Sequence, residues 1–277
     1  MVYVQACFCA VLLTACLPTT FGQSVGTVKP LRQAHAHNDY LHRRPLLDAL
    51  DHGFCSAEAD IFLLDGELRV AHFSFMTRPG VTLEKLYLDP LKKRVERNGS
   101  SVYPDSDIEF TLLIDIKRDG VEVFKVLHKT LQKYSTMLSG VENGKRTRRA
   151  VTVIISGDRP QAEIAAANPR WCGIDGRLSD LDSEKTAHLL PLISDKWSTH
   201  FKWRGEGPMP EEERIKLHDI TKKAHAAGRR VRFWATPENE AVWKALLEAK
   251  VDLLNTDDLD GMQRFLTLRK DCKDPPN

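Results

Sequence analysis

The stretch QAHAHNDYLHRRPLLDALDHGFCSAEADIFLLDGELRVAHF, residues 33–73, decides how this chain folds. It reads as a strand ending in His35 and His37, a helix, a second strand carrying Glu58 and Asp60, and a hairpin that leads to His72. Side chains alternate across a strand, so Glu58 and Asp60 project to one side while Ala57, Ala59 and Ile61 take the other. Two like charges on a strand flanked by apolar residues are costly unless a cation lies between them, so the pair points to a bound metal. The neighbouring histidines then supply acid/base chemistry.

The same rhythm continues outward. Apolar runs at 31–35, 54–61, 110–116, 151–156, 171–174, 190–193, 231–235 and 251–255 read as strands. Segments 45–52, 82–97, 121–134, 159–167, 210–227 and 239–249 between them carry helical patterning, several entered through Asp, Pro or Thr and left through Gly. Eight such units over about 250 residues predict an α/β architecture, a (β/α)8 TIM barrel. No linker breaks the alternation, so residues 29–268 form a single domain. Asp65-Gly66 is the signature of a tight hairpin, which delivers His72 to the barrel mouth. Segment 203–210 (WRGEGPMP) fits an active-site loop as well as an ordinary solvated connector. Residues 269–277 read as a frayed tail.

Composition narrows the function. With 42% hydrophobic and 28% charged residues, the chain has the makings of a large core rather than of a disordered protein. Forty basic against 38 acidic residues leave a net charge of +2, which offers no electrostatic reason for a nucleic-acid partner. The run Lys145, Arg146, Arg148, Arg149 reads as a solvated loop.

Residues 1–28 hold no charged side chain, and their apolar middle followed by Thr19-Thr20-Phe21-Gly22 resembles the core of a signal peptide. Residues 1–22 are therefore expected to be a leader and the domain to be exported, secreted or periplasmic. Leu13-Thr14-Ala15-Cys16 also fits a bacterial lipobox, which would end the leader before Cys16 and tether the domain to a membrane as a lipoprotein. Cys55, Cys172 and Cys272 follow no metal-binding spacing and read as buried single thiols, with one disulfide and one free thiol as the alternative.

Catalytic groups of such barrels sit at the carboxyl ends of the strands, and many strands here end in ionisable residues. Asp115 and Lys117 share a face, so they point into the same mouth as Glu58 and Asp60. Three carboxylates from two adjacent strands, Glu58, Asp60 and Asp115, form an oxygen-rich set suited to Mg²⁺ or Ca²⁺. Such an ion holds phosphate oxygens, Lys117 adds a second positive charge, and two histidines can take and return a proton. The assembly suits cleavage of a phosphodiester.

These residues resemble the glycerophosphodiester phosphodiesterase and phosphatidylinositol phospholipase C-like superfamily, nearest to the branch around the altered-inheritance-of-mitochondria proteins. The likeness is carried by His37-Asn38-Asp39-Tyr40, Arg44-Pro45-Leu46, Glu58-Ala59-Asp60, the Asp65-Gly66 to His72 hairpin, Leu113-Ile114-Asp115-Ile116-Lys117, Arg232-Phe233-Trp234 and Asn255-Thr256-Asp257. It implies a metal-dependent phosphoric diester hydrolase with His37 and His72 as the acid/base pair and Glu58, Asp60 and Asp115 as metal ligands. Lys117, Trp234 and Asn255 would line the substrate side. The substrate would be phospholipid-derived or glycerophosphodiester-like, a small molecule or a lipid met at a membrane surface, and the chain a monomer. Asn38 stands where a glycerophosphodiesterase has the Arg of His-Arg-Gly, the Pro-Glu-Asn-Thr motif is missing, and the third ligand is aspartate. These departures weigh against a plain glycerophosphodiester.

Two other functions fit parts of the pattern. His35-x-His37 at the end of the first strand is also how zinc amidohydrolase and polymerase-histidinol-phosphatase barrels begin their metal sites, although the fifth strand supplies no histidine. A non-catalytic barrel that binds phosphoesters is the other alternative, and none of the five acid/base and ligand residues is missing.

Overall fold

The structure is a computed structural model that describes residues 28–268. The leader read at 1–22, the tail at 269–277 and Cys272 lie outside the described residues. Along the chain come β1 (Leu31–Ala36), α1 (Leu47–Asp51), β2 (Phe54–Leu64), β3 (Glu67–Val70), α2 (Asp89–Arg97), β4 (Phe110–Ile116) and α3 (Gly120–Gln132). A small hairpin, β5 (Gly140–Glu142) and β6 (Lys145–Thr147), precedes β7 (Val151–Gly157), α4 (Gln161–Ala166), β8 (Gly173–Gly176) and β9 (Leu192–Lys196). Then follow α5 (Trp197–His200), α6 (Glu211–Ala226), β10 (Arg230–Trp234), α7 (Glu240–Glu248), β11 (Leu253–Thr256) and α8 (Leu259–Leu268).

Eight of these strands run parallel in the order β1-β11-β10-β9-β8-β7-β4-β2, and β2 pairs back to β1, so the sheet closes. The chain is a (β/α)8 TIM barrel. Parallel strands covered on both faces read as near-continuous apolar runs, as FTLLIDI in β4 and VTVIISG in β7 do. Helices bury one stripe against them: α3 turns Val123, Phe124, Leu127 and Leu131 inward. The Asn239 side chain caps α7 by accepting from Val242 N–H at 3.0 Å.

The largest apolar cluster fills the layer between sheet and helices. Inside the barrel, Leu113, Ile154, Leu192 and Leu253, one each from β4, β7, β9 and β11, form a separate buried layer. Polar groups lie beyond it: Asp175 accepts from Ser156 Oγ at 2.8 Å and Ser194 Oγ at 2.6 Å, and from Arg177 Nη1 at 2.9 Å. The lumen thus passes from apolar to charged toward the strands' carboxyl ends.

Several elements depart from the sequence expectation. The fifth and sixth strands lie two residues later than predicted, because Trp171 and Cys172 are buried before β8 begins and β9 continues through polar Asp195 and Lys196. The helix expected at 82–97 divides into a π turn (Glu84–Leu88) and α2, with Pro90 in the first turn of α2. Between β8 and β9, where no helical segment is read from the sequence, stands a 3-10 turn at Leu178–Asp180. Of the run 145–149, residues 145–147 form the exposed strand β6 while Arg148 and Arg149 follow it in a loop, and all are solvated. Asp65 and Gly66, with φ of 52° and 78°, make the tight turn between β2 and β3. Cys55 and Cys172 are buried and free. No helix among the described residues is long and apolar enough to cross a membrane.

Candidate active site

β2 and β4 lie side by side with Asp60 in register with Asp115. Carboxylate oxygens of Glu58, Asp60 and Asp115 lie within 4.8 Å of one another, as the shared face of the strands requires. Gly157 at the end of β7 makes room: a Cβ there would stand 2.4 Å from Asp115 Oδ1, and φ is +69°.

The three acids are held differently. Oε2 of Glu58 accepts from Arg232 Nη1 at 2.7 Å, an ion pair joining β2 to β10 across the lumen. Burial pushes the Glu58 carboxyl up, but the Arg232 charge outweighs it and holds the group well below the usual range. Oδ2 of Asp60 receives Tyr40 O–H at 2.6 Å and Lys117 Nζ at 3.1 Å, whereas its buried Oδ1 has no partner among the described residues. Burial and the Glu58 charge raise the Asp60 pKa. Asp115 is pushed up to about 7 by burial and by the charge of Asp60. Lys117 Nζ lies 3.6 Å from Asp115 Oδ1, so a single ammonium serves two carboxylates.

The histidines frame this cluster. His37 Nδ1 is 2.8 Å from Asp257 Oδ1. Burial lowers the His37 pKa, yet the Asp257 hydrogen bond and the Glu58 charge leave it raised overall. His72 Nδ1 is 2.9 Å from Tyr40 O–H and 3.2 Å from Asp60 Oδ2. The Tyr40 phenol is itself raised by burial and by Asp60, so it stays protonated and donates. In both rings Nδ1 is engaged, which leaves Nε2 for a substrate.

His35 is a different case. It is fully buried, with Nδ1 2.7 Å from Ser56 Oγ and Nε2 2.7 Å from Arg232 Nη1. Arg232 donates, so Nε2 is the acceptor and Nδ1–H donates to Ser56. Burial and the Arg232 charge lower this ring to about 4, keeping it neutral. Both nitrogens are occupied, which removes the ligand a zinc amidohydrolase site would need.

Of the remaining expected residues, Trp234 is half-buried at the end of β10, paired in register with Lys196, whose Nζ lies 5.8 Å from its ring centre. Asn255 is buried beside His35 in the β1–β11 register, and its Oδ1 has no partner among the described residues. Neither hydrogen-bonds to the acidic cluster among the described residues. The loop 203–210 is tied down by Asn239 Nδ2, which donates to the Arg204 carbonyl at 3.0 Å, and by Trp203 Nε1, which donates to the Glu206 carbonyl at 3.1 Å.

Three residues in the site had no role assigned from sequence. Tyr40 links Asp60 to His72, Arg232 holds Glu58, and Asp257 orients His37. Each stands inside a quoted motif, but only the closed barrel brings positions 37 and 257 together.

An oxygen-rich cluster ringed by two imidazoles at the mouth of a TIM barrel defines a phosphodiesterase-like class of site. Comparison agrees: residues 23–171, more than half of the chain, match the AIM6-like phosphodiesterase domain, and residues 230–260 match the glycerophosphoryl diester phosphodiesterase family. The chain belongs to the AIM6-like phosphodiesterase domain family. Altered inheritance of mitochondria protein 6 of Eremothecium gossypii is 30% identical over 86% of this chain and 70% of its own length. A homologue from Arthroderma benhamiae is 28% identical over 83% of this chain and 82% of its own. Their names state no reaction. The fold is shared with a crystal structure of a glycerophosphodiester phosphodiesterase from Parabacteroides distasonis (TM-score 0.52, 14% identity, covering 86% of this chain and 98% of that one). A second such enzyme, from Agrobacterium tumefaciens, gives TM-score 0.51 at 12% identity over 86% of this chain and all of the other.

Proposed function

We propose that the chain is a divalent-metal-dependent phosphoric diester hydrolase, acting on a phospholipid-derived or glycerophosphodiester-like substrate. The observation that carries this reading is the convergence of Glu58, Asp60 and Asp115 within 4.8 Å, with the buried Asp60 Oδ1 left without a partner. An all-oxygen donor set suits Mg²⁺ or Ca²⁺. Bound there, the ion supplies Lewis-acid charge to phosphate oxygens.

The chain's own residues do the rest. Arg232 engages Oε2 of Glu58 and fixes the carboxylate. Lys117, beside Asp60 and Asp115, presents an ammonium to a non-bridging phosphate oxygen. Nε2 of one histidine takes the proton of the attacking water or substrate hydroxyl, and Nε2 of the other returns one to the departing alkoxide. Asp257 and Tyr40 keep the two rings oriented for this exchange. Trp234 and Asn255 line the head-group side. Export of the domain, expected from the leader, would bring it to extracellular or periplasmic phosphodiesters.

The test is turnover of a panel of phosphodiesters by the chelated full chain, with Mg²⁺, Ca²⁺ or Zn²⁺ restored, followed by phosphorus NMR. Cleavage with Mg²⁺ or Ca²⁺ supports the proposal, and a cyclic phosphate would identify a substrate hydroxyl as nucleophile. Restoration by Zn²⁺ alone, or binding of phosphoesters without turnover, overturns it.

A further inference from the structure

Beside the candidate site the surface turns apolar. Leu41 is 61% exposed, Phe73 50%, Phe75 83% and Met76 46%. Leu41 ends the short turn Asp39–Leu41 after β1, Phe75 and Met76 lie in the turn Ser74–Met76 after β3, and Phe73 leads into that second turn. The Tyr40 and His72 rings stack with centroids 6.4 Å apart, which holds the two turns side by side. Phe73 meets His72 edge-on at 4.4 Å and stacks on Phe75 at 5.4 Å. The second turn is a built one: Met76 N–H donates to the Phe73 carbonyl at 2.9 Å, and Thr77 Oγ1 donates to the Ser74 carbonyl at 2.8 Å.

A contiguous apolar projection on a monomer marks a place where something docks. Charge says what. Arg43 and Arg78, next to the two turns, are exposed, and neither pairs with a carboxylate among the described residues. Arg44, by contrast, is taken up by Asp48 and Asp51. Aromatic tips with unpaired guanidiniums beside them match the boundary of a bilayer bearing negative charge, where rings enter the head-group layer and cations meet phosphates.

We propose that the ridge of Leu41, Phe73, Phe75 and Met76, with Arg43 and Arg78, docks the barrel mouth onto a membrane surface carrying anionic lipid. The inference rests on the proposed function only in that the docked mouth would take its phosphodiester from the bilayer.

The experiment compares the full chain with F75E and M76E, whose side chains take no part in the acid/base or ligand set. Phosphatidylcholine vesicles with and without phosphatidylserine are used, and hydrogen exchange reads which segment is covered. Exchange within 73–78 is expected to slow with the anionic vesicles, less so as salt rises. The variants are expected to lose that protection, with vesicle affinity down at least about tenfold and turnover of a soluble phosphodiester kept. Unchanged exchange at 73–78, or equal protection in the variants, overturns the proposal. So does a lipid-free dimer that F75E dissolves, since the ridge would then belong to a second copy. Protection without turnover of any phosphodiester would refute the catalytic reading and leave docking standing; turnover without protection would do the reverse.

Discussion

Arg232 Nη1 stands 2.7 Å from Glu58 Oε2, and both side chains are almost wholly buried. The pair spans the lumen from β10 to β2, and the same guanidinium nitrogen also reaches His35. A cation built into the protein thus fixes one edge of the acidic cluster before any ligand arrives. Removing one partner of a buried pair leaves the other charge uncompensated. R232M is therefore expected to destabilise the fold by about 3–5 kcal/mol, and the double variant R232M/E58Q by less than R232M alone. Urea unfolding curves with matched slopes check this; additive losses would show that the two side chains do not act on each other.

His37 owes its raised pKa to Asp257 and Glu58, which together overcome burial. In D257N the leading upward influence is gone, so the imidazolium is less favoured and the His37 limb of the pH–rate profile moves to lower pH. Turnover is expected to fall on the order of 10²-fold or more, as when an orienting carboxylate is lost. A profile unmoved by D257N would separate His37 from catalysis.

The three mouth histidines should behave differently. H37A and H72A are each expected to lower turnover by roughly 10²–10⁴-fold while unfolding at nearly the wild-type denaturant concentration. H35A removes a ring bonded to Ser56 and Arg232, so its main effect is a stability loss of about 1–3 kcal/mol. Kinetics and unfolding on the same preparations distinguish the two patterns.

Asp39 provides a pH-dependent stability outside the acid/base pair. Burial raises its carboxyl from 3.8 to about 6, against hydrogen bonds from Leu46 N–H and Tyr87 O–H. The folded chain therefore binds the proton more tightly than the unfolded chain. The stability this contributes is present below about pH 4 and is lost as pH rises through about 6, about 3 kcal/mol in all. D39N does not titrate, so the wild-type-minus-D39N difference in unfolding free energy should decline across that window and stay flat above it. A difference independent of pH would show that Asp39 is not held protonated.

Much of the barrel could be read directly because parallel strands sheltered on both faces leave apolar runs, and β4 and β7 are such runs. β8 is less legible, because Gly173 and Gly176 bear no side chain and the apolar signal lies instead in Trp171 and Cys172, buried just before the strand. At the site, Glu58, Asp60, Asp115 and Lys117 were legible from a period of two, since their convergence needs only adjacent strands. Arg232 with Glu58 and Asp257 with His37 were not, because these contacts bridge 174 and 220 positions and exist only once the barrel closes. Tyr40 was hidden for a local reason, the left-handed Asn38 (φ 46°) that turns the chain back toward Asp60.

The central claim is that Glu58, Asp60 and Asp115 bind one divalent cation, and calorimetric titration of Mg²⁺ and Ca²⁺ into the full chain tests it most directly. The account predicts saturable binding of a single ion per chain that is abolished in D60N, the variant that changes the carboxylate with the free buried oxygen. Absence of binding by the wild-type chain, or binding that survives in D60N, would contradict it.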